Sequence, residues 1–264
     1  MSAGVRLPGF FNLHIVEHCN FNCAGCSHLS NTAPKIEHEV DGYIKAGENL
    51  AKYLHLSQVQ ILGGEPTLHT KFTEAIPSLY KTFKKVVDDV AITTNGWWLY
   101  DRETFKRVIS VLPFLDHIIC SGHPQLFAKA GREDVLHRLQ VVKRVRPEVR
   151  VDLYERGEFM HTAFVETPIV NRPTCENKYC LQLDSNGFFR RCPAAAYAEL
   201  LPNPPILFCE AERNERYDTA TGNYTSFVEW VKREQPSCNY CTYGMSRFVH
   251  LKGDPRMIFT EIGV

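Results

Sequence analysis

Three thiols stand at Cys19, Cys23 and Cys26 in the stretch Cys19-Asn20-Phe21-Asn22-Cys23-Ala24-Gly25-Cys26, directly after an apolar run at 10–16. Soft thiolates suit iron–sulfur clusters and zinc alike. Three on one short loop can hold three irons of a cubane and leave the fourth open to a ligand from outside the protein. Zinc is the alternative for this loop alone, because His18 and His28 lie close enough in sequence to complete a tetrahedral site.

A second set of thiols follows much later. Cys175, Cys180 and Cys192 precede the pair Cys238 and Cys241. Four thiols saturate a 4Fe-4S cluster, and five are on offer. Cys175, Cys192, Cys238 and Cys241 are the expected set, with Cys180 as a replacement for Cys175; a structural zinc site is the alternative. Cys120 and Cys209 fall outside both groups and read as buried free thiols.

Two further motifs stand between the thiol sets. Gly63-Gly64-Glu65-Pro66 follows the apolar run 59–62, and Thr93-Thr94-Asn95-Gly96 follows the run 86–92. Glycines let backbone approach a ligand closely, Glu65 can accept from an ammonium, and proline fixes the exit from the turn. With the CxxxCxxC loop ahead of them, these motifs resemble the radical S-adenosylmethionine (radical SAM) superfamily over residues 9–155.

That resemblance implies that Cys19, Cys23 and Cys26 ligate a 4Fe-4S cluster with SAM on its open iron. It implies that the 63–66 turn holds the SAM amino group and that Thr94 and Asn95 lie near the ribose. Family members usually carry an aromatic residue before the third cysteine; here that position is Gly25, which leaves Phe21 or His28 for the adenine. Ser121-Gly122-His123-Pro124 stands where many relatives have a Ser-x-Asp segment facing the site, so Ser121 is a cofactor contact and His123 an acid, base or donor. Glu155 and Arg156, after the fifth strand, are candidates for SAM or substrate contact.

The later cysteines are similar to the SPASM/twitch extension, in which C-x(9-15)-G-x4-C, here Cys175, Gly187 and Cys192, leads to a CxxC pair. The single-cluster twitch version is expected, since the sequence given ends 23 residues after Cys241. An auxiliary cluster then accepts an electron or serves as a structural staple. The implied activity is reductive SAM cleavage and hydrogen abstraction from a small polar substrate such as a sugar, cyclitol or nucleotide, with a two-electron oxidation as the leading outcome. Redox-neutral epimerisation, decarboxylation or rearrangement, peptide modification, a fold that has lost catalysis and a non-catalytic zinc module are the alternatives. A reductant such as flavodoxin or ferredoxin is the implied protein partner. A first strand beginning near Phe10 leaves no room for a peptide-recognition domain ahead of it in the sequence given.

These groups must be positioned by a scaffold. Apolar strand-like runs at 10–16, 59–62, 86–93, 115–120 and 149–154 alternate with helical periods at 41–55, 72–83, 101–111 and 134–145, the signature of a parallel sheet faced by helices. Asp41 is the expected N-cap of the first helix, and Pro77 an interior kink in the second. Such βα series place their sites at the C-terminal ends of strands, where each motif falls. The resemblance implies an α/β fold, a partial (β/α)6 TIM-like barrel over 1–171 with a weak sixth strand at 163–170. A small twitch-like β-hairpin plus helix domain follows over 172–264, with the hairpin at 181–191 turning on Asp184-Ser185-Asn186-Gly187 and a helix at 224–234.

Lysine plus arginine and aspartate plus glutamate both number 30, so the formal charge is zero and neither nucleic acid nor anionic membrane is the expected partner. No run approaches the length of a membrane span, and no leader is visible in the sequence given. Ten cysteines in such a chain read as metal ligands in a reducing cytosol rather than as disulfides. Arg190 and Arg191, flanking Cys192, are either cluster or anion contacts or, more simply, exposed charges on a hairpin edge. Trp97 and Trp98 are candidates for ring stacking or for core packing.

Overall fold

The structure, a computed structural model, describes residues 9–23, 26–30, 33–155, 158–160, 164–170, 175, 180–233, 235–242 and 247–249. Its elements run β1 (Phe10–Val16), α1 (Asp41–Leu50), β2 (Leu56–Gly63), α2 (Phe72–Phe83), β3 (Val87–Thr94), α3 (Arg102–Val111), β4 (His117–Gly122), α4 (Pro124–Ala130), α5 (Arg132–Val145) and β5 (Arg150–Glu155). Then follow β6 (Glu158–Met160), β7 (Leu181–Leu183), β8 (Phe188–Arg190), α6 (Pro193–Tyr197), α7 (Ile206–Arg213), β9 (Tyr217–Asp218), α8 (Tyr224–Lys232) and β10 (Arg247–Val249).

The main sheet has the order β5-β4-β3-β2-β1-β7-β8-β9, with β1 to β5 all parallel. Helical crossovers join these strands, so the fold is an α/β partial barrel of the TIM type. Its outward face is apolar: Phe11, Leu13, Val59, Ile61, Val90, Ile92 and Ile118 are all buried against the helices. The inward face is different. Asn12 and His14 of β1, Gln58 and Gln60 of β2, Asp89 and Thr93 of β3, His117 of β4 and Asp152 and Tyr154 of β5 occupy alternate positions that share that face.

Much of this inward row is one hydrogen-bonded network. Gln60 donates to Gln58 at 2.7 Å, Thr93 donates to Gln60 at 3.0 Å, and Gln58 bonds Asp89 and meets His117 Nδ1 at 3.3 Å. His117 Nε2 then meets Asp152 at 2.9 Å, and Tyr154 donates to the same carboxylate at 3.3 Å.

Several expectations need correction. A sixth strand at 163–170 is not found: among its described residues, Phe164 makes only an isolated antiparallel bridge to Cys241, and Ala163 lies outside the described residues. The free edge of β1 is instead taken by β7, in parallel, with Asn12 opposite Gln182. The hairpin thus extends the barrel's own sheet. Asp41 is not the cap of α1, because Val40 before it is already helical; Asp41 occupies the first turn, where its charge meets the helix dipole. That helix stops at Leu50 rather than running to 55, as Lys52 and Tyr53 tighten to bonds three residues back.

Pro77 is accommodated inside α2, which continues through it. Helices α4, α6 and α7 had no counterpart in the periodicity reading, being short or Pro-initiated. The helix expected over 224–234 is α8 to Lys232, capped by a reciprocal Asn223–Ser226 box; Glu234 lies outside the described residues. Among the described residues no helix is long and apolar enough to cross a membrane.

Candidate iron–sulfur and cofactor site

The thiol loop leaves the C-terminal end of β1 and is clamped by the turn that ends β2. Gly64 N donates to Val16 O at 2.9 Å, and Glu65 N donates to His18 O at 3.0 Å. A Cβ on Gly64 would stand 1.9 Å from His18 O and 2.8 Å from Cys19 N, so only glycine lets the turn lie against the loop. Gly63 adopts φ +152, with Val16 O 2.0 Å from where its Cβ would be, a second position closed to any side chain.

Glu65 is fully buried. Its carboxylate accepts from Thr67 N at 3.2 Å, Thr67 Oγ1 at 2.6 Å, Thr94 Oγ1 at 2.8 Å and Asn95 N at 2.7 Å. Burial raises its pKa, and these four donors work against the rise. Glu65 thereby joins the ends of β2 and β3, and Thr94 is the β3 side chain that it engages. Pro66, also buried, starts the short turn that carries Thr67 into this network.

Asn95 reaches across to the thiol loop. Its side-chain amide donates to Cys19 Sγ at 3.3 Å and to Asn20 Oδ1 at 2.9 Å, and its oxygen accepts from Trp97 N at 2.8 Å. Cys19 Sγ also accepts from Phe21 N at 3.3 Å. Burial pushes the Cys19 thiol up to about 12, with the charge of Glu65 adding to the rise and the Phe21 and Asn95 donors opposing it. Burial, then the charges of Cys26 and Cys19, push Cys23 up to about 12. Cys26 N donates to Cys23 O at 3.3 Å, which keeps these two thiols on one turn.

His123 caps the start of α4 beside this loop. Its Nδ1 lies 4.0 Å from Cys23 Sγ, and its ring meets Phe21 edge-on at 6.2 Å. Ser121, on β4 opposite Tyr154, is half-buried. Glu155 ends β5, exposed and paired with Arg132, so any catalytic role would require it to leave that partner. Gly25 and Arg156 lie outside the described residues. Trp98 is wholly buried and stacks on Phe105 at 5.7 Å, which is core packing; Trp97 sits half-buried, edge-on to Tyr100 at 4.3 Å.

The second thiol set gathers around a small separate core of Ala194, Ala195, Ala198, Phe208, Cys209 and Cys241, with Cys192 packed on it. Cys192 precedes α6, Cys238 lies in the turn Pro236–Tyr240, and Cys241 follows it. Burial raises the Cys192 thiol far above its usual value, and the charges of Cys241, Cys238 and Cys175 add to the rise. These are the four expected thiols. Burial pushes the Cys180 thiol up to about 11 and the charge of Cys175 adds to the rise, while its sulfur accepts from Asn12 and Gln182 of the barrel seam at 3.3 and 3.4 Å.

Arg190 and Arg191 are not solubility charges. They are 6% and 5% exposed. Arg190 bonds Asp184 at 3.0 Å and Glu212 at 2.6 Å, while Arg191 donates to Val231 O at 2.8 Å and lies 4.4 Å from the Trp230 ring. They tie the hairpin to α7 and α8. Cys120 and Cys209 are buried, as expected of free thiols.

The residues that sequence reasoning missed are Asn12, His14, Gln182 and Tyr197. His14 stacks on Tyr197 at 4.4 Å and shares a 2.8 Å hydrogen bond with its hydroxyl; His28 stands 5.2 Å from His14. The signal was present in β1, where the polar Asn12 and His14 alternate with buried apolar residues, as on a strand facing two environments.

Among the described residues no three His, Cys, Asp or Glu side chains converge to hold a metal ion. The fit to a cluster rests on the donor set: three thiols on one loop, two N–H groups already aimed at one sulfur, and a glycine cradle against the loop's backbone.

Fold and site together define a partial barrel with a three-thiol loop at the end of its first strand, a donor set that suits an iron–sulfur cluster. The family model described as a 4Fe-4S single cluster domain matches residues 3–140, and the chain belongs to that family, within the radical SAM enzymes that use a 4Fe-4S cluster and SAM. The chain is 27% identical over 103 residues to GTP 3',8-cyclase of Synechococcus elongatus, covering 35% of this chain and 28% of that one. It is 30% identical over 128 residues to a probable GTP 3',8-cyclase of Saccharolobus islandicus (38% of each), and 29% identical over 145 residues to the Vibrio vulnificus GTP 3',8-cyclase (49% and 39%). It thus spans well under half the length of these curated relatives.

Among solved structures, BtrN in complex with AdoMet and 2-DOIA is similar at 15% identity and a TM-score of 0.48, covering 89% of this chain and 93% of that one. Streptococcus suis SuiB bound to S-adenosylmethionine is similar at 12% and 0.39, covering 88% and 76%.

Proposed function

We propose that this radical SAM enzyme oxidises a small hydroxylated or aminated substrate by two electrons, with residues 1–171 carrying the SAM cluster and 172–264 an auxiliary 4Fe-4S cluster on Cys175, Cys192, Cys238 and Cys241. The observation that carries the reading is the polar inward face of the sheet, an array of amides, carboxylates and imidazoles below the thiol loop. When bound, the cluster and SAM would supply the chemistry of hydrogen-atom abstraction, and a second cluster would supply an electron acceptor.

The chain's own residues do the rest. Cys19, Cys23 and Cys26 hold the first cluster, and the Gly63–Gly64 turn keeps their loop closed against β2. His123, whose Nδ1 faces Cys23, takes the proton that an alcohol or amine must lose on oxidation. The inward network orients the substrate by hydrogen bonds. A reductant such as flavodoxin or ferredoxin provides the priming electron.

The test is anaerobic turnover with dithionite. Oxidation yields a product lighter by two hydrogens with equimolar 5'-deoxyadenosine; an isomer of the substrate would refute it. The second reading is a redox-neutral rearrangement, favoured by the cyclase names of the matched relatives. Such a reaction would return the substrate's own elemental composition.

A further inference from the structure

We infer that the buried seam between β1 and β7 is a recognition subsite for a neutral or cationic small molecule that donates hydrogen bonds through hydroxyl or amino groups. The inference rests on the proposed function, whose substrate it describes more closely.

Asn12 and Gln182 stand side by side across the parallel pairing of β1 and β7, and they are 2% and 1% exposed. Both side-chain nitrogens are committed to Cys180: Asn12 Nδ2 reaches its sulfur at 3.3 Å, and Gln182 Nε2 reaches it at 3.4 Å as well as bonding the Cys180 carbonyl. With the nitrogens drawn to one side, Asn12 Oδ1 and Gln182 Oε1 are left as buried acceptors without a hydrogen-bond partner.

The same seam continues through His14, two positions along β1. Gln182 stands beside His14 and favours its protonated form, yet Oε1 completes no hydrogen bond. Tyr197 stacks on His14, and His28 meets Tyr197 edge-on at 5.5 Å. His28 Nδ1 is engaged by Ser27 Oγ at 3.2 Å, which leaves its Nε2 as a third buried polar atom with no partner. The three unsatisfied atoms belong to a run of neighbouring residues on the first strand, the thiol loop and the hairpin strand, with Gln182 opposite Asn12 and His28 5.2 Å from His14. Folded proteins bury few such atoms, and each is costly unless something pairs with it.

Their chemistry selects the ligand. Amide oxygens accept, so the partner must donate. No lysine belongs to the cluster, and the guanidinium opposite Gln182, that of Arg190, is held by Asp184, Glu212 and the Ala195 carbonyl. Among the described residues of the seam, a phosphate or carboxylate would find no free cation. A polyol or amino sugar would satisfy all three atoms at once, a few residues from the loop where the radical is generated.

The experiment uses anaerobically reconstituted full-length enzyme, saturated with SAM, in equilibrium dialysis against labelled myo-inositol, glucosamine and glucose 6-phosphate. The wild type is expected to retain myo-inositol or glucosamine in preference to glucose 6-phosphate. Asn12→Leu is expected to weaken that binding about tenfold or more. Gln182→Glu, which keeps an acceptor at the same place, is expected to retain binding and to shift preference towards glucosamine. Circular dichroism and iron content confirm that each variant is folded and loaded.

Failure of the wild type to hold either hydroxylated probe, preference for the phosphate, or unchanged affinity in Asn12→Leu overturns the inference. So does a parallel loss of SAM affinity, which would assign the seam to the cofactor. Release of 5'-deoxyadenosine and methionine by the wild type is measured alongside. Its absence, with probe binding intact, would sink the radical reading and leave the subsite standing.

Discussion

The side-chain amide of Asn95 donates to the sulfur of Cys19 at 3.3 Å, while the Asn95 backbone N–H is held by Glu65 at 2.7 Å. A residue at the end of β3 thus touches a proposed cluster ligand on the loop after β1. Hydrogen bonds to cluster sulfurs draw off negative charge and raise the reduction potential. Asn95→Leu is therefore expected to lower the potential of the first cluster by on the order of tens of millivolts and to slow SAM cleavage. A redox titration followed by electron paramagnetic resonance checks it; an unshifted potential would reduce Asn95 to a packing role.

Glu65 satisfies two backbone N–H groups and two hydroxyls inside the protein. Glu65→Ala orphans them and is expected to cost about 3 kcal/mol of stability, and Glu65→Gln, which keeps one acceptor, about 2 kcal/mol. Denaturant midpoints of the two variants give the order. Equal midpoints for wild type and alanine variant would contradict the bracing role.

The two thiol sets are separable. Wild type is expected to carry about eight irons per chain and Cys192→Ala about four, with the SAM-binding cluster retained. Cys180→Ala keeps the full complement, because the Cys180 sulfur is held by Asn12 and Gln182 on the barrel seam. Iron and sulfide analysis after anaerobic purification decides it. Zinc in place of iron, or loss of four irons from the Cys180 variant, would reassign the ligands.

Burial holds His14 well below its ordinary 6.5, with the charge of His28 adding to the effect, and burial takes His28 down to about 4. The unfolded chain binds protons at these rings below about pH 6.5 while the folded protein does not, so acid favours unfolding. Their contribution is complete above pH 6.5 and is lost as pH falls towards 4, by at most about 1.4 kcal/mol per pH unit for each ring. Urea midpoints between pH 8 and 6 should fall at the acid end, and less so in His14→Gln. A midpoint that rises on acidification would reverse the sign and refute the account.

Local patterns carried much of this protein. The bounds of β1 and α2 follow from apolar runs of the right length, and the hairpin turn follows from Asp184 and from Gly187, whose φ of +85 suits glycine. The thiol loop, the Gly63–Gly64 turn and the Asn95 segment fall at strand ends as their order implied. What eluded the reading is non-local. Nothing in residues 181–183 says that they pair with β1, since a free strand edge accepts any chain that reaches it. Arg190 and Arg191 read as surface charges because their carboxylate, carbonyl and ring partners come from elsewhere in the chain: Arg190 also meets the carboxylate of Glu199, at 3.7 Å, and Arg191 the backbone carbonyl of Arg233, at 3.2 Å.

The sequence by itself determined the chemistry available: which thiols are grouped, how many ligands a short loop can offer, and where glycine permits close approach. These are properties of neighbours along the chain, governed by spacing and backbone freedom. Only the tertiary structure decided what the polar residues do, turning Glu65 inward, bringing Asn95 to Cys19 and gathering Asn12, His14, Gln182 and Tyr197 at one seam. Burial and hydrogen-bond partners are set by contacts between distant segments, and those exist only once β7 lies against β1.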